Sequence, residues 1–158
     1  MSLQQYVNER IKITSKTRPL YRPKPATYKE LRPIIEQELH KQGPDADLNF
    51  IDTSRITDMS FLFTRLDIRN IKIDEWDVSN VEDMECMFMN QNKFSSDLSG
   101  WNTSNVTNMD YMFYDCEKFS SDLYRWNVQK VVNHFMIFIG CDNLLPEYYP
   151  QFEIRTRH

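Results

Sequence analysis

The sequence predicts an α/β solenoid of about four 25-residue repeats, each with a short strand and a short helix, closed at the front by an N-terminal amphipathic helix. Three tryptophans, Trp76, Trp101 and Trp126, stand 25 residues apart, and such even spacing is typical of repeat proteins. Five apolar columns keep the same phase around them, and the copies align without a gap. A domain with one ordinary core has no reason to space its apolar residues so regularly.

The repeat region covers residues 51–142, and its unit combines two patterns. In the third copy, the apolar residues of segment 106–113 fall at i, i+3, i+6 and i+7, which predicts a short helix. Segment 119–126 alternates apolar and polar residues, which favours a strand. Strands repeated at this period predict a parallel ladder with a spacing of about 4.8 Å.

Three further zones flank the repeats: a basic, proline-containing arm (1–26), a capping helix with its linker (27–50) and a C-terminal cap and tail (143–158). Thr27 and Glu30 have the spacing of a capping box, so we expect the helix to begin there, although Pro33 favours a later start or a kink. Repeat arrays need such covers because each unit buries its apolar residues only against its neighbours.

Charge is distributed unevenly along the chain. Residues 9–32 contain eight Lys and Arg against two acidic residues, whereas residues 51–141 contain eight against fourteen. Two interpretations stay open: the arm folds back on the acidic repeats, or it contacts nucleic acid or an acidic partner. The candidate residues of the arm are Arg10, Lys12, Lys16, Arg18, Arg22 and Lys24.

No catalytic or metal-binding set is recognisable. The three histidines fall in three different zones, and His134 continues a column of methionines, so we expect it to be interior. Asp52 and Asp77 begin a column of carboxylates that could indicate a calcium site. The column continues as asparagine, however, and it lacks the glycines of calcium-binding repeats. An Asx ladder that bonds the backbone between coils is the favoured interpretation. We therefore expect no enzyme activity, no cofactor and no metal.

The cysteines are odd in number and form no CxxC pair, which indicates free buried thiols. Cys116 and Cys141 share a repeat phase, so we expect them to stack in neighbouring coils. No apolar run approaches the ~20 residues that cross a bilayer, and the first residues lack the apolar stretch of a signal peptide. A cytoplasmic protein without a membrane partner is the expectation.

Segments 76–88 and 101–113 share the pattern Trp-Asp/Asn-x-Ser-Asn-Val-x-x-Met-x-x-Met-Phe. This pattern is similar to that of the BspA-like leucine-rich repeats, the 25-residue repeat of mycoplasma-type surface lipoproteins. The resemblance implies a right-handed, leucine-rich-repeat-like coil with strands on one face and helices on the other. It also implies adhesion or protein binding at bacterial and protist surfaces, and no catalysis.

The sequence thus predicts a non-enzymatic module that presents a rigid repeat surface to a partner protein. The alternative is an intracellular inhibitor, with a phage-borne protein as one such case, or a nucleic-acid-associated factor that acts through the basic arm or the acidic flank. The candidate residues on the repeat surface vary between copies at two repeat positions: Arg65, Asn90 and Asp115 at the first, and Lys72, Asp97 and Asp122 at the second.

Overall fold

A computed structural model describes residues 22–152 of the chain. Within these residues, helix α1 spans Tyr28–Gln42 and a 3-10 helix spans Pro146–Tyr148. The same residues contain no strand, and their only bridges are four isolated parallel ones, each joining positions 25 residues apart.

The predicted α/β solenoid with a short strand and a short helix in each repeat is therefore wrong. Segment 106–113 does not form a helix because Tyr111 at its centre has a left-handed φ of +56°. Segment 119–126 does not form a strand ladder, since the N–H of Leu98 is bonded to the Ser121 hydroxyl at 2.9 Å instead of to a backbone carbonyl. The leucine-rich-repeat-like coil implied by the resemblance is not supported either.

The 25-residue period instead produces four turn-rich layers: layer 1 (51–75), layer 2 (76–100), layer 3 (101–125) and layer 4 (126–142). Within a layer, many N–H groups bond to the carbonyl three residues earlier, as in Val81 to Val78 and Val106 to Thr103. These tight turns reproduce the i, i+3 spacing of a helix without forming one.

The predicted stacking of equivalent side chains is confirmed by the phenylalanine column at the centre of the core. Phe63, Phe88, Phe113 and Phe138 stack with successive ring centroids 5.1, 5.4 and 5.9 Å apart. Each such pair contributes about 0.5–1.5 kcal/mol beyond the burial of its area. The period therefore fixes the register of the layers through their largest side chains.

The three tryptophans occupy equivalent environments. Each indole Nε1 donates to the backbone carbonyl 28 residues earlier: Trp76 to Leu48 at 2.9 Å, Trp101 to Ile73 at 3.0 Å and Trp126 to Leu98 at 3.0 Å. A buried indole thus satisfies its donor on the neighbouring layer. These side chains bond the layers together as well as filling the core.

Helix α1 covers the front of layer 1 and buries Leu31 and Ile35 in the common core. It begins after Thr27, as predicted, but the Thr27 hydroxyl makes no capping bond. Glu30 instead accepts the N–H of Ala26 at 2.8 Å. The expectation that Pro33 delays the helix start is wrong, since Pro33 lies inside α1.

The segment after layer 4 covers only part of the rear of the stack. The carbonyl of Tyr148 accepts the N–H of Leu123 at 2.9 Å, and the Tyr149 ring lies 4.6 Å from that of Phe138. Leu144 is buried, whereas Leu145 is exposed. The rear cap therefore closes the core but leaves other parts of layer 4 uncovered.

Candidate binding surface

A ladder of backbone hydrogen bonds joins consecutive layers. In layer 3, the N–H groups of Met109, Tyr111, Phe113 and Asp115 donate to carbonyls of layer 4 at 2.8–3.1 Å, and each acceptor lies 24 residues later. Layer 2 repeats all four bonds toward layer 3, and layer 1 repeats the first three toward layer 2. In this ladder, N–H groups always point toward the later layer and their acceptor carbonyls toward the earlier one.

Two residues in each layer have positive φ, and they lie four positions apart along the ladder segment. The first column is Phe61, Cys86, Tyr111 and Met136; the second is Arg65, Asn90, Asp115 and Gly140. Asn, Asp and Gly tolerate this conformation better than other residues. The variation among Arg65, Asn90 and Asp115, which we predicted to serve partner binding, therefore also meets a backbone requirement.

At the front of the stack, Arg32 of α1 replaces the missing preceding layer. Its guanidinium donates to the carbonyl of Leu62 at 2.6 Å and to that of Thr64 at 2.9 Å. These are the positions whose equivalents in later layers accept N–H groups from the layer before: Met87 accepts from Phe63, and Tyr114 from Asn90. Two of the four carbonyls at the front edge of the ladder are thus capped by a side chain.

The rear edge of the ladder has no such cap within the described residues. The N–H groups of His134, Met136, Phe138 and Gly140 are the layer 4 equivalents of the four donors of layer 3. None of them has an acceptor among residues 22–152. We call this row of four N–H groups the rear edge.

Exposed apolar side chains lie in the same segment as the rear edge. The set, which we call the rear patch, consists of Val132, Phe135, Met136 and Ile139. Phe135 is 58% exposed and Ile139 55% exposed, although large apolar side chains are usually buried. Clustering of four such residues within one segment marks a candidate binding surface.

Comparison between layers shows that this clustering is unusual. For two of the four patch residues, every earlier layer has a polar residue at the equivalent position. Where layer 4 has Val132, the other layers have threonine or glutamate; where it has Phe135, they have serine, glutamate or aspartate. The rear patch was not predicted from the sequence, although a comparison of residues along each outward column contains the signal. It also placed His134 in the interior, which is wrong: His134 is exposed and its ring stacks on Phe152 at 4.4 Å.

The other predicted binding residues are only partly described. Arg10, Lys12, Lys16 and Arg18 lie outside the described residues. Arg22 is exposed, and Lys24 forms an ion pair with Asp52 at 3.0 Å. Because the N–H of Asp52 also donates to the carbonyl of Pro23 at 2.9 Å, the chain just before α1 does lie against layer 1.

The second predicted column, Lys72, Asp97 and Asp122, is exposed along the stack. Asp97 accepts the N–H of Ser99 at 2.9 Å and the hydroxyl of Ser121 at 2.9 Å. The backbone hydrogen bond from Ser99, followed by bonds from serine hydroxyls, lowers the pKa of Asp97. Asp122 makes the same turn contact with the N–H of Tyr124 at 3.0 Å. Two of the three residues therefore stabilise turns.

The predicted Asx column bonds within its own layer rather than between coils, so that detail of the prediction is wrong. Asp52 and Asp77 each accept the N–H and the hydroxyl of the serine two residues later. For Asp52, hydrogen bonds from the Ser54 and Lys24 side chains lower the pKa to about 2. Among the described residues, no group of three or more His, Cys, Asp or Glu side chains is placed to hold a metal ion.

The cysteines are buried and free. Cys116 and Cys141 occupy equivalent positions, and each thiol donates to a backbone carbonyl 28 residues earlier, Phe88 and Phe113 respectively, at 3.0 Å. Burial raises the pKa of both thiols, that of Cys141 to about 11. These thiols belong to the structure of the core and are poor nucleophiles.

Two open clefts flank Phe61 at the front of the stack. One, of about 670 Å³, lies between the start of α1 and residues 57–61; the other, of about 630 Å³, lies between Arg32 and residues 89–91. Polar side chains line both, with Lys29, Asp58 and Ser60 in the first and Arg32, Asn90 and Gln91 in the second.

No helix within the described residues is long and apolar enough to span a bilayer.

Comparison with known proteins gives a family but no function. No curated protein matches the chain, and no solved structure does. A sequence model described as "Mycoplasma protein of unknown function, DUF285" matches residues 36–148, which comprise α1 from its middle, all four layers and most of the rear cap. Because this match covers more than half of the sequence, the chain belongs to that family.

Proposed function

We propose that the chain is a non-enzymatic protein-binding module and that its binding surface is the rear patch. The observation that carries the proposal is the change from polar to apolar residues at the outward positions of layer 4. Val132 and Phe135 stand where every other layer has polar side chains, and both are more than half exposed. Burial of these side chains against a partner would recover the free energy of apolar transfer, about 25 cal/mol per Å².

The rigid core below the patch supports this proposal. Ile137, within the segment that carries the patch, is buried and its carbonyl accepts the N–H of the buried Phe113 at 3.1 Å, and Phe135 packs edge-on against Tyr111 at 5.5 Å. Little conformational entropy is lost when a patch held in this way binds a partner.

The resemblance of segments 76–88 and 101–113 to BspA-like repeats also supports protein binding. A relationship to those proteins is part of the proposal and rests on the shared motif alone. It leads us to expect a protein partner rather than a small molecule.

The repeat offers a well-matched experiment. In the patch variant Val132→Thr/Phe135→Ser, each new residue is one that another layer already has at that position, Thr107 and Ser60. The control variant Tyr124→Ser removes an exposed aromatic ring from another column, where Ser99 is the equivalent.

Affinity capture from an extract of the native cell, with wild type and both variants at equal concentration, tests the proposal. We expect a protein that is retained by the wild type and by Tyr124→Ser but lost by the patch variant. Retention of the same proteins by all three would refute the rear patch as the binding surface. Retention that disappears between low and moderate salt would instead favour the basic arm and a phosphate-bearing partner.

A further inference from the structure

The rear edge repeats a row of donors that the molecule itself pairs at its three junctions between layers, with three donors paired at the first junction and all four at the second and third. At each junction between layers, the row meets backbone carbonyls at alternate residues of the next layer. At the third junction these are the carbonyls of Asn133, Phe135, Ile137 and Ile139, with donor–acceptor distances of 2.8–3.1 Å. The chemical complement of the rear edge is therefore known in detail.

We propose that the rear edge binds a segment of a partner protein through its backbone, as an added rung of the ladder. The partner segment supplies carbonyl oxygens to the N–H groups of His134, Met136 and Phe138, and its apolar side chains cover the rear patch. This inference rests on the proposed function and specifies how the partner is recognised. Backbone pairing with an exposed edge is an established mode of peptide recognition.

The direction of the partner segment follows from the junctions. The carbonyl of Thr107 accepts the N–H groups of both Val132 and Asn133, at 2.8 and 3.2 Å, just before the row of donors begins. By equivalence, the carbonyl of Val132 accepts from the partner, and the partner runs parallel to residues 132–140. A segment of about eight residues is enough to fill the row.

A second copy of the chain does not provide all four missing acceptors. Two of the four front-edge carbonyls, those of Leu62 and Thr64, are already bonded to Arg32, so a copy stacked front to rear offers free acceptors to only half of the row. Two rear edges facing each other would set N–H groups against N–H groups, which leaves both rows unpaired. The occupant is therefore a different polypeptide.

A synthetic peptide with the sequence of residues 106–115 and the replacements Met109→Ala and Phe113→Ala is a suitable probe, because Phe152 and Tyr149 already lie against the rings of His134 and Phe138. Within the fold, the carbonyls of Asn108, Asp110, Met112 and Tyr114 already accept the four donors of layer 2, so this sequence can present acceptors in the required register. In a second peptide, the amide bonds that contain the carbonyls of Asp110 and Met112 are replaced by ester bonds. Ester carbonyls are weaker hydrogen-bond acceptors, and the side chains stay the same. A scrambled peptide of equal composition is the control for adhesion to the apolar patch.

Amide resonances of the full ¹⁵N-labelled chain provide the readout. We expect the 106–115 peptide to shift the signals of His134, Met136 and Phe138 and to slow their hydrogen exchange at least tenfold. The N–H of Met109, which is already paired inside the stack, should not change. The ester peptide should bind at least threefold more weakly, and the scrambled peptide should leave the three signals unchanged.

Unchanged signals at millimolar peptide, or equal binding of the ester peptide, would overturn the inference. Slow exchange of the three N–H groups in the free chain would also overturn the inference. If removal of residues 153–158 then made exchange fast, the chain's own C-terminus would be the segment that pairs with the rear edge. Protection that depends on protein concentration, with a dimer in sedimentation, would assign it to a second copy.

The two proposals fail separately. If a native partner is lost by the patch variant but does not protect His134, Met136 and Phe138 from exchange, the partner binds through side chains alone and only the inference falls. If no partner depends on the patch, the proposed function falls.

Discussion

Replacement of Arg32 tests whether a side chain can close an edge of the ladder. Arg32 donates to the carbonyls of Leu62 and Thr64 and forms an ion pair with Glu36 at 2.7 Å. The Arg32→Met variant keeps much of the aliphatic stem and removes all of these donors. Arg32→Lys keeps the charge but loses the planar fork that reaches both carbonyls.

The expected loss follows from the bonds that are removed. Hydrogen bonds from charged donors contribute about 1.5–3 kcal/mol each, and the lower value applies here because water can reach the freed edge. The ion pair adds about 0.3–0.5 kcal/mol, since Glu36 is half exposed. We expect Arg32→Met to lower the free energy of unfolding by about 3 kcal/mol, and Arg32→Lys by about half of that. For a chain of this size, 3 kcal/mol corresponds to a fall in Tm of about 6–12 °C.

Chemical denaturation followed by circular dichroism measures these differences. Arg55→Met is the matched control, because Arg55 is exposed and has no ion pair within residues 22–152; its effect should stay within about 0.5 kcal/mol. Glu36→Gln separates the ion pair from the carbonyl bonds. If Arg32→Met lowers the free energy of unfolding no more than Arg55→Met does, the bonds from Arg32 do not stabilise the front edge. That result would refute the role we give to Arg32.

Three further predictions concern the turns, the thiols and a turn carboxylate. The Gly140→Ala variant should lower the free energy of unfolding by about 2–4 kcal/mol in a denaturant titration, because φ is +76° and the new Cβ meets the backbone of the preceding layer at 2.9 Å. The Gly100→Ala variant is the control: its new Cβ has no atom within 4 Å, so its stability should be unchanged or slightly higher. At pH 8, iodoacetamide should modify Cys141 about a hundredfold more slowly in the native chain than in denaturant, since burial raises its pKa from 9.0 to about 11; equal rates, followed by mass spectrometry, would contradict this. Hydrogen bonds, first that from the Ser54 side chain, lower the pKa of Asp52 from 3.8 to about 2, so its stabilising effect is present above pH 3.8 and lost as the pH falls through 2. The stability difference between wild type and Asp52→Asn should shrink over that window; a constant difference would mean that the carboxylate is not stabilised in the fold.

The sequence predicted the register of this molecule better than its secondary structure. The period placed Phe63, Phe88 and Phe113 in one column because a stack must bury equivalent positions together. It also suggested a helix for segment 106–113, because turns of three residues and helical turns bury side chains at the same spacing. What excludes the helix is the left-handed backbone at Tyr111, and tyrosine gives no sequence signal for that conformation.

The strand prediction failed for a different physical reason. In segment 119–126 the side chains of Phe119, Ser121 and Leu123 are all buried, as the alternation predicts. Alternation reports burial, however, and not the pairing of the backbone. Because the Ser121 hydroxyl takes the N–H of Leu98, one backbone pairing that a ladder would need is replaced by a side chain.

The candidate binding surface could be predicted from the sequence only in part. The apolar residues Val132 and Phe135 are visible once each column is compared from layer to layer, but the comparison also requires knowledge of which columns face outward. The role of Arg32 was out of reach, since it depends on the carbonyls of Leu62 and Thr64, which are distant in sequence and carry no residue-specific signal.

The polarity of the ladder explains why the two ends of the stack differ in chemistry. The front edge presents carbonyls, and one guanidinium with five N–H donors can satisfy several of them. The rear edge presents a row of donors, and no single side chain supplies matching acceptors along the whole row. A polypeptide backbone does, which is why we propose partner binding at the rear. Since the layers separate the two ends, the effects of Arg32→Met and Phe135→Ser on stability should add within about 0.5 kcal/mol. Coupling larger than this in the double variant would show that the ends communicate through the stack, and the rear patch would then have to be treated as part of the folding unit rather than as an independent surface.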